Sequence, residues 1–259
     1  MDIDLAGRTA VVTGGSKGIG LAVVSRLAAS GARVITGARS ASEEIEALGK
    51  EKQVIFAEVD LADPGGPAQL VAMAGDRIDI LVNNVGGAQA RPGGFLSITD
   101  DDWAASLTLN LLAAVRATRA ALPGMLACGA GVIITTCSVN ARLPDPAVLD
   151  YSAAKAGLAA FAKALSKEVG PRGIRVNTVS PGPVATDLWL GSEGVAATIS
   201  QATGATSRDV ERQAADGSVT GRFSQPAEVA DLILFLASDR AANITGSDFI
   251  IDGGLVPTL

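Results

Sequence analysis

The chain has no histidine among its 259 residues. The side chain that most readily exchanges protons near neutrality is therefore missing, and any acid–base chemistry falls to groups whose ordinary pKa lies elsewhere. There are only two cysteines, Cys128 and Cys137, without metal-ligand spacing. Together these absences leave no donor set for a zinc or iron centre and exclude a disulfide framework. Aromatic residues make up 3% of the chain and tyrosine occurs once, as Tyr151. The core must then be built from Ala, Val, Leu and Ile, which suits helices layered on a sheet. Basic charge is in deficit, with 21 Lys and Arg against 27 Asp and Glu for a net charge of −6. That balance argues against nucleic acid or an anionic membrane as partner, since both require a basic face. An anionic small molecule would have to find its cations locally. No apolar run approaches the roughly 20 residues of a membrane helix. The opening "MDIDLAGRTAVV" lacks the basic-then-apolar pattern of a signal peptide. A cytoplasmic protein is expected.

What is present is globular: 48% hydrophobic residues, 19% charged residues and thirty glycines. Seven short runs rich in β-branched residues recur: "TAVVTG" (9–14), "RVITGA" (33–38), "QVIFAEV" (53–59), "IDILVNN" (78–84), "GVIITTCS" (131–138), "IRVNTVS" (174–180) and "SDFIID" (247–252). They are apolar on both faces, as strands of a parallel sheet covered on each side would be. Helical patterns lie between them, among them 20–30, 151–169 and a long one over 99–127, which opens on the capping sequence "TDDDW". The alternation predicts an α/β fold: one domain over 1–259, with a doubly wound parallel sheet of seven strands. Residues 187–222 break the rhythm between the sixth and seventh strands and read as a lid or binding segment.

The first strand runs into "TGGSKGIG" (13–20) at the start of the first helix. Gly14, Gly18 and Gly20 let the turn tighten and let a ligand approach the backbone. The helix N-terminus then offers free N–H groups and a positive dipole end to a pyrophosphate. This G-x-x-x-G-x-G spacing differs from the general dinucleotide fingerprint G-x-G-x-x-G. In NAD-binding sheets an acid near the end of the second strand takes the ribose hydroxyls. Here that strand ends at Ala38 and Arg39, with no acid before Glu43, and Lys17 sits inside the glycine turn. Two cations and no carboxylate suit a 2′-phosphate, so NADP(H) is favoured over NAD(H). Asp60 and Leu61, after the third strand, are placed to bracket the adenine. Taken one at a time, these features also fit a purely structural turn and ordinary solvated charges.

In order along the chain, "TGGSKGIG", "NNVG" (83–86), Asn110, Ser138, "YSAAK" (151–155) and "SPGPVATD" (180–187) resemble the short-chain dehydrogenase/reductase family over nearly the whole length. Within it they are similar to 3-oxoacyl-carrier-protein reductase-like and carbonyl reductase-like members. One departure is Val85, where the family pattern has alanine; it is expected to tighten packing near the cofactor. The resemblance implies a Rossmann-type fold and a nicotinamide cofactor. It further implies hydride transfer between that cofactor and an alcohol or carbonyl carbon, and a homo-oligomer, tetramer or dimer. It assigns cofactor contacts to Gly14, Ser16, Lys17, Gly18, Ile19, Gly20, Asn84 and Gly86. It extends them to Tyr151, Lys155 and the segment Pro181, Gly182, Val184 and Thr186, which would fold over the nicotinamide.

Tyr151 and Lys155 are four apart on a predicted helix and so share a face. A free tyrosine, with a pKa of about 10, is a poor base at neutral pH. A nearby ammonium and an oxidised nicotinamide would lower that value. Neutral Tyr151 would donate a proton to a carbonyl oxygen during reduction, and its phenolate would accept one during oxidation. Ser138 would hold the same oxygen. Lys155 would anchor the nicotinamide ribose, and the family resemblance implies that Asn110, interior to the 99–127 helix, joins a water relay from Lys155 to solvent. Cys137 has no evident base and reads as a buried small residue. Residues 91–98, Leu143, Val148 and 187–222 are expected to line a pocket for a neutral or partly apolar alcohol or carbonyl, with Arg142 facing water. The alternative is a regulator that senses NAD(P) on the same fold without turnover; a third reading is a lyase or epimerase on this scaffold, with sugar-nucleotide epimerases disfavoured by the smaller size and the absence of a second domain.

Overall fold

A computed structural model of the chain describes residues 3–51, 53–75 and 77–258. Seven strands form one sheet: β1 (Thr9–Thr13), β2 (Arg33–Ala38), β3 (Val54–Glu58), β4 (Ile80–Asn83), β5 (Gly131–Thr136), β6 (Ile174–Pro181) and β7 (Asp248–Ile251). The order is β3-β2-β1-β4-β5-β6-β7 and every pairing is parallel. All seven expected strands are there, trimmed by a residue or two. The fifth ends at Thr136, so Cys137 and Ser138 lie just beyond it, and the sixth extends to Pro181.

Among the described residues ten α-helices lie between the strands: α1 (Gly18–Ala29), α2 (Glu43–Glu51), α3 (Gly66–Ala72), α4 (Asp100–Leu107), α5 (Ala113–Cys128), α6 (Leu149–Val169), α7 (Asp187–Leu190), α8 (Val195–Thr203), α9 (Ser207–Asp216) and α10 (Pro226–Ala237). Alternation within each strand feeds two cores. On one face Ala10, Val12 and Val34 pack under Val23 and Leu27 of α1, Ile45 of α2 and Ile233 of α10. On the other, Val11, Ile35 and Leu81 pack under Leu70 of α3, Ala117 and Met125 of α5 and Leu165 of α6. Strands buried on both faces need apolar residues at successive positions, which is why they read as continuous runs.

The long helix departs from expectation. Between α4 and α5 lies one π turn, Thr108–Leu112, and Asn110 sits inside it. Thr99 caps α4 through a reciprocal pair with Asp102: its Oγ1 accepts the Asp102 N–H at 3.1 Å, and the Asp102 carboxylate accepts the Thr99 N–H at 3.0 Å. The combined 100–128 helix, with mean hydropathy 1.3 over its most apolar window, is long and apolar enough to cross a membrane by length and composition, contrary to the sequence expectation. Here Ala113, Ala117, Ala121 and Met125 are buried, and Arg116 donates to the carbonyl of Ala62 at 3.2 Å. The face carrying these alanines and Met125 is thus engaged with the sheet.

The β1–β4 neighbour pair is where the chain order reverses, the place where open α/β sheets form a crevice at the strands' carboxyl ends. The excursion after β6 holds α7, α8 and α9 and is pinched at its base. Ala185 N–H donates to Ser224 O at 2.9 Å and Ser224 N–H to Pro183 O at 3.0 Å, beside the isolated bridge Val184–Ser224. Inside it Trp189 meets Phe223 edge to face, with centroids 5.4 Å apart.

Candidate active site

Along the carboxyl ends of the strands runs a cavity of about 1830 Å³. At one end the β1–α1 turn forms its floor. Gly14 and Gly18 adopt φ of 72° and 56°, a left-handed conformation that favours glycine. At Gly20 an added Cβ would collide with the Gly14 carbonyl and lie 2.5 Å from Asn84 Nδ2. No side chain caps the start of α1 and its first turn carries no acid, so its N–H groups and dipole stay available to an anion. Asn84 stitches this turn to β4, its Nδ2 donating to the carbonyls of Thr13 at 3.2 Å and Gly14 at 3.1 Å. The buried Thr13 hydroxyl accepts the N–H of Asn84 at 2.9 Å and of Val85 at 3.1 Å. This anchor went unnoticed in the sequence; a threonine at the last position of an apolar strand was its only signal. The backbone at Val85 lies close against the turn: a Cβ on Gly14 would sit 3.0 Å from its Cα.

Every residue expected to touch a cofactor lines this cavity: Gly14, Ser16, Lys17, Gly18, Ile19, Gly20, Arg39, Asp60, Leu61, Asn84, Gly86, Tyr151, Lys155, Pro181, Gly182, Val184 and Thr186. Lys17 and Arg39 are exposed on its rim, and among the described residues neither forms an ion pair. Ser40 joins them, and so does Glu44 of α2. The β6 loop passes over the turn, since a Cβ on Gly18 would lie 3.2 Å from Thr186 Cγ2.

At the other end Ser138, Tyr151 and Lys155 line the same space. Ser138 Oγ accepts the Asn140 N–H at 3.1 Å, and Asn140 Nδ2 donates to Ser152 Oγ at 3.4 Å; Asn140 is a wall residue missed in the sequence. Lys155 is buried, donates from Nζ to the Thr136 carbonyl at 2.9 Å, and lies 5.6 Å from the centre of the Tyr151 ring. Asn110 is buried behind the wall rather than on it. Its Oδ1 accepts the Gly87 N–H at 2.9 Å and its Nδ2 donates to the Gly87 carbonyl at 3.0 Å and to Ser106 O at 3.1 Å. A Cβ on Gly86 would approach both Asn110 Oδ1, at 2.8 Å, and Lys155 Nζ, at 3.3 Å. Asn110 is thus a clamp on the 84–88 loop, next to Lys155.

In the unliganded site burial governs the electrostatics. Burial pushes the Tyr151 phenol up to about 12; a nearby Cys137 adds to the rise, and a hydrogen bond with Ser138 opposes it. Burial also pushes Lys155 down. In the unliganded chain both are driven toward their neutral forms. Cys137 is buried, donates from Sγ to the Lys155 carbonyl at 3.2 Å, and is pushed up by burial, as an inert small residue should be.

The substrate end departs from expectation in two places. Leu143, Val148 and the 187–222 segment (Leu188, Trp189, Val195 and Gln213) do line it, joined by the unforeseen Leu255, but residues 91–98 do not. Their loop is drawn away by Arg91, which pairs with Asp102 at 2.9 Å and Asp150 at 2.7 Å. Arg142 is half-exposed yet pairs with Asp248 at 3.0 Å. Among the described residues no group of His, Cys, Asp and Glu side chains could hold a metal.

Residues 14–256 match the family model adh_short_C2, described as enoyl-(acyl carrier protein) reductase. The chain belongs to the short-chain dehydrogenase/reductase family. This short-chain dehydrogenase/reductase is 34% identical to a 3-oxoacyl-(acyl-carrier-protein) reductase of Chlamydia pneumoniae, covering 98% of this chain and 99% of that one. It is 36% identical to a D-threitol dehydrogenase of Mycolicibacterium smegmatis, covering 98% and 94%. The solved L-sorbose reductase of Gluconobacter frateurii, complexed with NADPH and L-sorbose, superimposes over the full length of both chains with a TM-score of 0.91 at 34% identity. The chain is accordingly an oxidoreductase acting between alcohol and carbonyl.

Proposed function

We propose that this short-chain dehydrogenase/reductase is an NADPH-dependent carbonyl reductase in which Tyr151 is the proton donor. The observation that carries the reading is one cavity with an uncapped helix N-terminus and two unpaired cations at one end and Ser138, Tyr151 and Lys155 at the other. A dinucleotide fits this layout: its pyrophosphate at the start of α1, its 2′-phosphate between Lys17 and Arg39, its adenine beside Asp60 and Leu61. The NADPH complex of the sorbose reductase supports the same choice. Pro181, Gly182, Val184 and Thr186 would close over the nicotinamide ribose, which Lys155 would hold. When bound, the cofactor supplies the hydride.

The protein's own part is proton handling. Ser138 Oγ hydrogen-bonds the carbonyl oxygen and holds it at the phenol. Tyr151, whose phenol is protonated at neutral pH, donates its hydroxyl proton to that oxygen, and general acid catalysis of this kind is worth about 10²–10⁴-fold. Lys155 then feeds a proton toward the phenolate, with Asn110 keeping the 84–88 loop beside it. The substrate end presents Leu143, Val148, Leu188, Trp189 and Leu255 with the amides of Asn140 and Gln213, which favours a neutral, partly apolar ketone or aldehyde. A homo-oligomer is expected in solution.

The test is Tyr151→Phe in an NADPH-oxidation assay over a panel of ketones and aldehydes. Turnover should fall by about 10² or more while the NADPH Kd stays within about threefold. Full activity in the variant would refute the assignment. Tight NADPH binding by the parent chain without turnover of any carbonyl would favour a cofactor sensor instead.

A further inference from the structure

Arg91 lies in the loop between β4 and α4 with its side chain 11% exposed. Its guanidinium is forked between two helices. Nη1 donates to Asp102 Oδ1 at 2.9 Å, within the capping box of α4, and Nη2 to Asp150 Oδ2 at 2.7 Å, in the first turn of α6. Its backbone N–H donates to the carbonyl of Ala147 at 2.7 Å, a residue of the cavity wall. One residue therefore joins the loop that starts at Asn84 and Gly86, the wall at 143–148, and the helix turn in which Asp150 immediately precedes Tyr151.

Stability alone does not account for this arrangement. Desolvating a guanidinium and a carboxylate costs about what their attraction returns, and apolar replacements of buried pairs are often neutral or stabilising. This pair is costlier than most, because Arg91 Nε and Asp150 Oδ1 are buried without a hydrogen-bond partner. What the fork does provide is geometry, since a planar guanidinium fixes direction as well as distance at both carboxylates. We propose that Arg91 is a positioning residue for Tyr151: by gripping Asp150 it sets the rotation and depth of the first turn of α6 and so the place of the phenol in the cavity. The proposal rests on Tyr151 being the proton donor, but its test does not depend on turnover alone.

Because the chain has a single tyrosine, incorporation of 3-fluorotyrosine gives one fluorine resonance, and that resonance reports Tyr151. The parent, Arg91→Met and the double variant Arg91→Met/Asp150→Asn are compared by that resonance, by melting temperature, by NADPH Kd and by steady-state kinetics with a turned-over ketone. Arg91→Met strands the buried carboxylate and should lower the melting temperature. It should also move or broaden the fluorine signal and cut kcat by about 10–100-fold, the scale on which small misplacements act, while the NADPH Kd stays within about twofold. The double variant removes both charges. Its melting temperature should recover, while kcat stays low and the fluorine signal stays displaced. Recovery of kcat together with the melting temperature would mean that Arg91 only neutralises Asp150, and would overturn the proposal. So would a fluorine signal in Arg91→Met that coincides with the parent's. The resonance decides the matter even if no variant turns over a carbonyl.

Discussion

Alkaline titration of Tyr151 tests the electrostatic argument most directly. In the unliganded chain the phenol is pushed up to about 12, chiefly by burial. Two units above the ordinary value of 10 correspond to roughly 3 kcal/mol in favour of the neutral form, and leave about one molecule in 10⁴ as phenolate at pH 8. Lys155 does not offset this: its Nζ is directed at the Thr136 carbonyl and is itself pushed down. Labelling tyrosine at Cζ with ¹³C gives one signal from the one tyrosine, and its shift against pH reads the ionisation. The midpoint should lie near 12, rise further in Ser138→Ala, which loses the opposing hydrogen bond, and fall when NADP⁺ brings its positive ring alongside. The sign carries over to stability. The folded chain holds this proton more tightly than the unfolded one, so Tyr151's contribution is full below pH 10 and is lost between 10 and about 12. Lys155 acts oppositely, its buried charge penalising the fold until pH rises toward 10.5. Tyr151→Phe should abolish the first loss and leave the second effect. A midpoint at or below 10 in the unliganded chain would refute the claim that burial governs this phenol.

Two further outcomes follow from the cavity. In Gly86→Ala the new methyl would press on Asn110 Oδ1 and Lys155 Nζ, breaking the paired bonds to Gly87. The cost should be about 2–4 kcal/mol, a melting temperature lower by about 5–15 °C in a chain of this size, together with loss of reductase activity; calorimetry showing no change would contradict the clamp. Arg39→Ala should weaken NADPH by about tenfold, one charge-assisted hydrogen bond at an exposed rim, and leave NADH unchanged. Equal loss of both cofactors in fluorescence titrations would remove the 2′-phosphate from that rim.

The strands were legible because a sheet covered on both faces writes itself as unbroken β-branched runs, and the glycine turn because each glycine answers to a backbone need. Asn110 was visible as a residue but not as a clamp. A π turn adds one residue to a helical circuit without any change of composition, so "TLNLL" reads as ordinary helix. The direction of the 91–98 loop was hidden for a different reason: Arg91 is paired 11 positions away with Asp102 and 59 away with Asp150, and local pattern carries no trace of such partners. The rise of the unliganded tyrosine was not legible, because sequence reveals which charges are near but not how much water is gone.

The two hydrogen bonds at Ser224 give the segment above them a fixed doorway. The helices α7, α8 and α9 hang between these doorposts, so a change in the length of their connections is taken up within the segment and does not pull on β6 or α10. Residues 187–222 can therefore be rewritten while the glycine turn and the Ser138, Tyr151 and Lys155 end of the cavity stay in place. A graft of that stretch between relatives is the natural route to a new specificity on this scaffold.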